Sequence, residues 1–210
     1  MNPTMSPQTM LQYDDSLLSG RLDCLAPNLA AAFAACIAER LFPGFVSYAI
    51  NTGSVSTYDT IDTLDMVWRS CAGARLDEAE ASRLLDECMD LIASIYKAPE
   101  GDAYYAEGAI AAIACAIRAL TLSPRDAGRA AQCGYEVVDY FITEECKINF
   151  AAQGDDGMVI HPAVQRELMR QQRDLQDLEQ ISRHRSDFAV LIEKLRKRAR
   201  ADGASVFSND

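Results

Sequence analysis

Glu39, Asp62 and Asp65 are the residues of this chain most able to do acid–base chemistry. Carboxylates on neighbouring helices can share such work when their surroundings push their pKa values apart. Trp68, the only tryptophan, follows closely. With Glu39 and Asp65 it would line a pocket for a small molecule. A structural reading competes and is favoured. Asp65 and Arg69 stand four apart and can pair along one helix face, and the Glu39-Arg40 pair can tie neighbouring helices together. Ion-pair networks perturb carboxylates as catalytic sites do.

Other chemistries lack their residues. A carboxylate-bridged metal bundle needs Glu-x-x-His on two helices. Neither His161 nor His184 has a glutamate three residues before it. His161 precedes a proline at a helix start and reads as a capping or loop residue. His184 lies among arginines and reads as solvated. No Gly-x-Gly-x-x-Gly, P-loop or Gly-x-Ser-x-Gly is present, so nucleotide and acyl-transfer sites have no local support. Seven cysteines occur, none as Cys-x-x-Cys. They read as small core hydrophobes in a reducing cytoplasm. No catalytic, cofactor-binding or metal-binding residue is assigned, and no cofactor is expected.

The elements that must carry these residues are helices. Leu29, Phe33, Cys36, Ile37 and Leu41 form an apolar stripe of helical period. Pro27 suits a first helical position, and Pro43 is expected to end the helix. A short helix burying Phe45, Val46 and Ile50 should stop at Gly53. Ser54 or Ser56 can then cap a third helix, whose stripe is Tyr58, Ile61, Leu64, Trp68 and Cys71 and which Gly73 closes. Cys36, Glu39-Arg40, Pro43, Thr52-Gly53, Asp65 and Trp68, in that order and spacing, resemble the first half of the DUF416 (YjaG-like) family of bacterial proteins. The run Ala109 to Cys115 and His161-Pro162-Ala163-Val164 before a Gln-rich helix are similar to its later segments. The resemblance covers roughly residues 15 to 205, implies an all-helical domain and implies no activity.

Further helices flank this segment. Leu17, Leu18, Leu22 and Leu25 mark a first one behind Asp14-Asp15, acids that suit a helix start. Asp77 and Glu80 have capping-box spacing ahead of Leu84, Leu85, Cys88, Leu91, Ile92 and Ile95. Ile110, Ile113, Ala114, Ile117 and Leu120 mark the next helix. Ser123-Pro124-Arg125-Asp126 starts another, burying Ala127, Ala131, Val137, Val138, Phe141 and Ile142.

Ala163 to Asp202 contains neither proline nor glycine and reads as one continuous helix. About 40 residues at ~1.5 Å each make roughly 60 Å. A compact domain of this length is only about 40 to 45 Å across. An overhanging end would expose Phe188, Leu191, Ile192 and Leu195 and call for a partner. A homodimer through this C-terminal helix is therefore expected. Arg183 to Arg200 holds seven basic residues against two acidic ones. This cluster reads as a solvated helix end whose cations suit the dipole. The alternatives are weak nucleic-acid binding and attraction to the acidic body of a second subunit.

The whole chain has 210 residues, 49% of them hydrophobic, and a formal net charge of -11. Such a balance disfavours wrapping nucleic acid. No apolar run is expected to reach the roughly 20 residues of a membrane helix, and no signal peptide is read at Met1 to Met10. The sequence therefore predicts a cytoplasmic, single-domain, all-α bundle of six to eight helices over residues 13–203, with tails at 1–12 and 204–210. Its leading function is that of a non-catalytic helical interaction protein that self-associates.

Overall fold

Helix α2 (Pro27–Thr52) is the central helix, on which most of the other helices pack. Leu29 to Leu41 is buried without a break, as befits a helix apolar on nearly every side. The computed structural model describes residues 10–53, 57–97, 102–145, 161–183 and 188–207. Among them it has α1 (Asp15–Leu22), α2, α3 (Thr57–Cys71), α4 (Glu78–Lys97), α5 (Ala103–Thr121), α6 (Asp126–Tyr140), α7 (Pro162–Arg183) and α8 (Phe188–Gly203). A turn of π-helix, Phe141–Glu145, extends α6. The described residues contain no strand, so the chain forms the all-α bundle that the apolar periodicity predicts.

The helix starts follow the capping signals. Asp14 accepts from the Leu17 N–H at the head of α1, and Asp77 from the Glu80 N–H at the head of α4. Nδ1 of His161 accepts from the Ala163 N–H at 3.2 Å, so this histidine caps α7. Burial and the nearby Arg166 lower its pKa, which suits a ring nitrogen that must accept. Gly53, at φ 61°, ends α2. Ser54 and Ser56 lie outside the described residues.

Pro43 does not end its helix. It withdraws the N–H that would bond the Glu39 carbonyl, yet α2 runs on through it. The reason is phase: Phe45, Tyr48 and Ala49 continue the buried face of Leu41. That phase turns Ile50 outward, 73% exposed. Phase likewise corrects the stripe on α3. Its inward face is Thr60, Thr63, Leu64, Val67, Trp68 and Cys71, leaving Tyr58 and Ile61 exposed.

The broadest interface in the fold joins α2 to α5. Alanines line both helices, and small residues let backbones approach closely. At Gly44 the approach is closest, where a Cβ would sit 2.6 Å from the Tyr105 Cβ. By length and composition both helices could cross a membrane, contrary to the sequence expectation. Here most of each apolar stretch is buried inside the protein. Helices α3 and α4 both pack on α5 but scarcely touch each other.

The C-terminal segment corrects a second expectation. It is not one helix of roughly 60 Å but two, α7 and α8, with residues 184–187 between them outside the described set. Arg173 pairs with Asp202, and Arg198 with both Asp177 and Asp174. Such pairs require antiparallel helices. The chain therefore doubles back, and Ile192 and Leu195 are buried rather than overhanging. Both presumed tails are also anchored where they are described. The Gln165 side chain brackets the backbone N–H and carbonyl of Leu11. Beyond α8, Val206 is buried and Phe207 lies against Tyr105 and Phe141.

Gly203 lets the end of α8 reach the α2 backbone beside Pro43. A Cβ there would stand 3.0 Å from the Arg40 carbonyl oxygen and 3.2 Å from that of Glu39. Gly203→Ala should therefore lower stability by about 1–3 kcal/mol. Gly20→Ala, on the exposed face of α1 with nothing within 4 Å, should raise it by about 0.5–1 kcal/mol. Urea denaturation of the two variants reads both signs.

Candidate functional site

Glu39 and Arg40 are buried at the middle of α2. Adjacent helical residues point about 100° apart, so the two side chains meet different neighbours. The Glu39 carboxylate accepts from the Trp68 indole N–H at 2.8 Å and from Nε of Arg200 at 2.7 Å. Arg196 stands 3.4 Å from it, also pairs with Asp65, and lies 5.9 Å from the centroid of the Trp68 ring. Two cations from α8 thus meet two carboxylates, one on α2 and one on α3. Asp65 pairs here with Arg196 and not, as expected, with Arg69.

Arg40 is completely buried and turns toward α7. One end of its guanidinium donates to Glu167 at 3.0 Å and the other to Asp174. Gln171, between these acids, donates to Glu167 at 3.0 Å and to the Ala131 carbonyl at 3.1 Å. Arg198 closes the group, donating to Asp174 at 2.8 Å. Burial acts to lower the Arg40 pKa, but Glu167 and Asp174 outweigh it and raise the value. Two arginines again meet two carboxylates. The Nε of Arg40 is buried without a partner among the described residues.

This network claims three of the seven basic residues of the cluster, Arg196, Arg198 and Arg200. Arg196 and Arg198 are drawn inward and bound to acids of other helices, while Arg200 binds Glu39 yet stays largely exposed, as the solvated helix end was expected to be. Lys197 pairs only with Glu193 along α8, and Lys194 is exposed. Arg185 and His184 lie outside the described residues. Glu167, Gln171 and Asp174 were missed as functional positions. Their signal was legible: they fall in helical phase with Val164, Leu168, Leu175 and Leu178, on the face that is buried.

Of the three candidate carboxylates, Glu39 and Asp65 share one ion cluster, while Asp62 faces a separate cleft. The cleft lies between α3 and α4 over α5 and holds about 570 Å³. Ile110, Leu84 and Cys88, all buried, supply its apolar depth. Asp59 and Asp62 border one side, Glu87 and Asp90 the other. Arg83 also lines it, clamped by Glu80 and Glu87. The described residues contain no group of three or more His, Cys, Asp or Glu able to hold a metal ion.

A model for DUF416, described as a protein of unknown function, matches residues 18–207. The chain belongs to the DUF416 family. Among solved structures, this DUF416 chain resembles the crystal structure of a DUF416 family protein from Shewanella baltica OS155, with a TM-score of 0.72 and 18% identity. That likeness covers 90% of this chain and 96% of the other; at such identity it speaks to the fold alone. No curated protein matches.

The six described cysteines of this family member are free. Cys36, Cys71, Cys88 and Cys115 are buried as expected, but Cys24 is exposed and Cys133 partly so. Cys146 lies outside the described residues. Burial pushes the thiol pKa up at Cys36 and Cys71, to about 12 at Cys88 and Cys133, and to about 11 at Cys115. Those five are protonated at neutral pH. Among the described cysteines, maleimide should modify Cys24 first, as read by peptide mass spectrometry of briefly treated native protein.

Truncating Arg40 strands two buried acids. Arg40→Met should cost about 3–5 kcal/mol in urea denaturation. Adding Glu167→Gln and Asp174→Asn removes both stranded charges and keeps acceptors for Gln171 and Arg198. The triple variant should recover much of the loss.

Proposed function

We propose that this DUF416 chain is a non-catalytic, cytoplasmic interaction protein that binds other polypeptides through its helical surface. The observation that carries this reading is the division of its charged groups. Glu39, Arg40, Asp65, Glu167 and Asp174 each hold partners within the fold, which leaves no free acid–base pair around Glu39 and Arg40 among the described residues. The α3–α4 cleft, by contrast, combines apolar depth with unpaired carboxylates. The free cysteines support a reducing compartment.

Self-association belongs to the proposal, although its original motive has gone. The apolar seam of α8 is turned inward, so a dimer through this helix would use its exposed edge at Val190, Lys194 and Lys197. That edge is basic while the chain as a whole carries a net charge of -11, so the edge is attracted to the acidic body of another copy. Sedimentation velocity over a range of micromolar concentrations tests this. The expected result is a dimer that weakens as salt rises. A monomer throughout, at low and high salt alike, would remove self-association.

A small-molecule site formed by Glu39, Asp65 and Trp68 has less support. Trp68 and Glu39 are buried against each other, and α8 arginines fill the remaining directions. Nucleic-acid binding through the C-terminal helix has less support for the same reason, since its arginines are already paired.

A further inference from the structure

We infer that the cleft between α3 and α4 is a receptor groove for a basic amphipathic helix supplied by a different protein. This rests on the interaction reading and adds the chemistry of the partner.

Three features define the occupant. The first is the gap itself: two helices stand on α5 and scarcely touch each other, so among the described residues a cleft lies open between them. At about 570 Å³ it is far larger than an ion needs. The second is the lengthwise arrangement. Asp59 and Asp62 lie three residues apart along one wall, Glu87 and Asp90 three apart along the other, with Leu84, Cys88 and Ile110 between them. Two acidic rows flanking an apolar floor are the complement of a helix with an apolar stripe edged by lysine and arginine. The third is the lack of competing cations. Asp59, Asp62 and Asp90 have no ion-pair partner among the described residues, and Arg83 is held by Glu80 and Glu87.

A second copy of this chain does not supply such a helix from α8. The apolar residues of α8 that keep helical phase, Ile192, Leu195 and Ala199, are already buried within its own fold. Its exposed edge offers lysines with only Val190 as an apolar anchor. The groove therefore calls for a partner whose apolar stripe is unburied until it docks.

The test uses the full chain and a fluorescein-labelled synthetic peptide with leucines at i, i+3, i+4 and i+7 and lysines on both flanks. A scrambled peptide of equal composition, spermidine as competitor, and the exposed-site variant Asp62→Asn/Asp90→Asn complete it. Fluorescence anisotropy should show the amphipathic peptide binding at least about tenfold more tightly than the scramble, and about tenfold more weakly to the variant. Met66→Glu, at the groove wall, should abolish binding while circular dichroism shows the helical fold retained. If Met66→Glu unfolds the chain, the scramble and the double variant decide. Equal binding of the scramble, equal binding by the double variant, or full displacement by spermidine at matched ionic strength would overturn the inference. Those outcomes leave self-association untouched, because sedimentation reads it separately. A peptide that binds as described to a strictly monomeric chain would retire self-association and keep the groove.

Discussion

A single guanidinium without access to water governs how this molecule closes. Arg40 sits, fully buried, in a long and largely apolar helix, and an isolated charge there would cost several kcal/mol after every relaxation. The cost is offset only if α7 presents Glu167 and Asp174 together, in one orientation and at one height along α2. Gln171 and Arg198 then satisfy the acids' remaining lone pairs. Apolar helices packed on apolar helices tolerate some sliding. We read the cluster as the device that removes this freedom and fixes the register of the C-terminal hairpin against the axis. The second cluster, around Glu39, acts one face further round the same helix and fixes α8.

Much of the fold was legible from periodicity. The stripes of α4, α5 and α7 and the caps at Asp14, Asp77 and His161 are where residue type and spacing put them. Local rules failed where tertiary packing outweighed them. Pro43 costs one hydrogen bond, but Phe45 and Tyr48 keep α2 in its apolar trough, so the helix persists. The reversal between α7 and α8 has no proline or glycine to announce it. Its evidence is electrostatic and long-range, because Arg198 and Asp174 can meet only in an antiparallel pair. The polar members of the α7 core face were overlooked because a search for apolar residues passes over an acid in apolar phase.

The candidate site was legible only in part. Glu39, Asp65 and Trp68 do converge, but on arginines rather than on a cavity. Asp62 faces outward into the α3–α4 cleft, which no linear motif marks. The cleft follows from the way α5 serves two neighbours. Its residues pack toward α2 on one side and receive α3 and α4 on the other, and among the described residues nothing closes the space between those two. Concavity of this kind belongs to the assembly of helices and leaves no trace in any one of them.

The divided ownership of the charge clusters also orders events at the ribosome. Glu39 and Arg40 emerge early, on a helix that must leave water almost at once. Their counter-ions are encoded more than a hundred residues later, on the last two helices. Until those helices are made, α2 carries an acid and a base that the growing bundle cannot neutralise with the partners it will finally use. The core cannot be completed before α7 and α8 are made, and a chain ending short of them would betray itself by charges left bare.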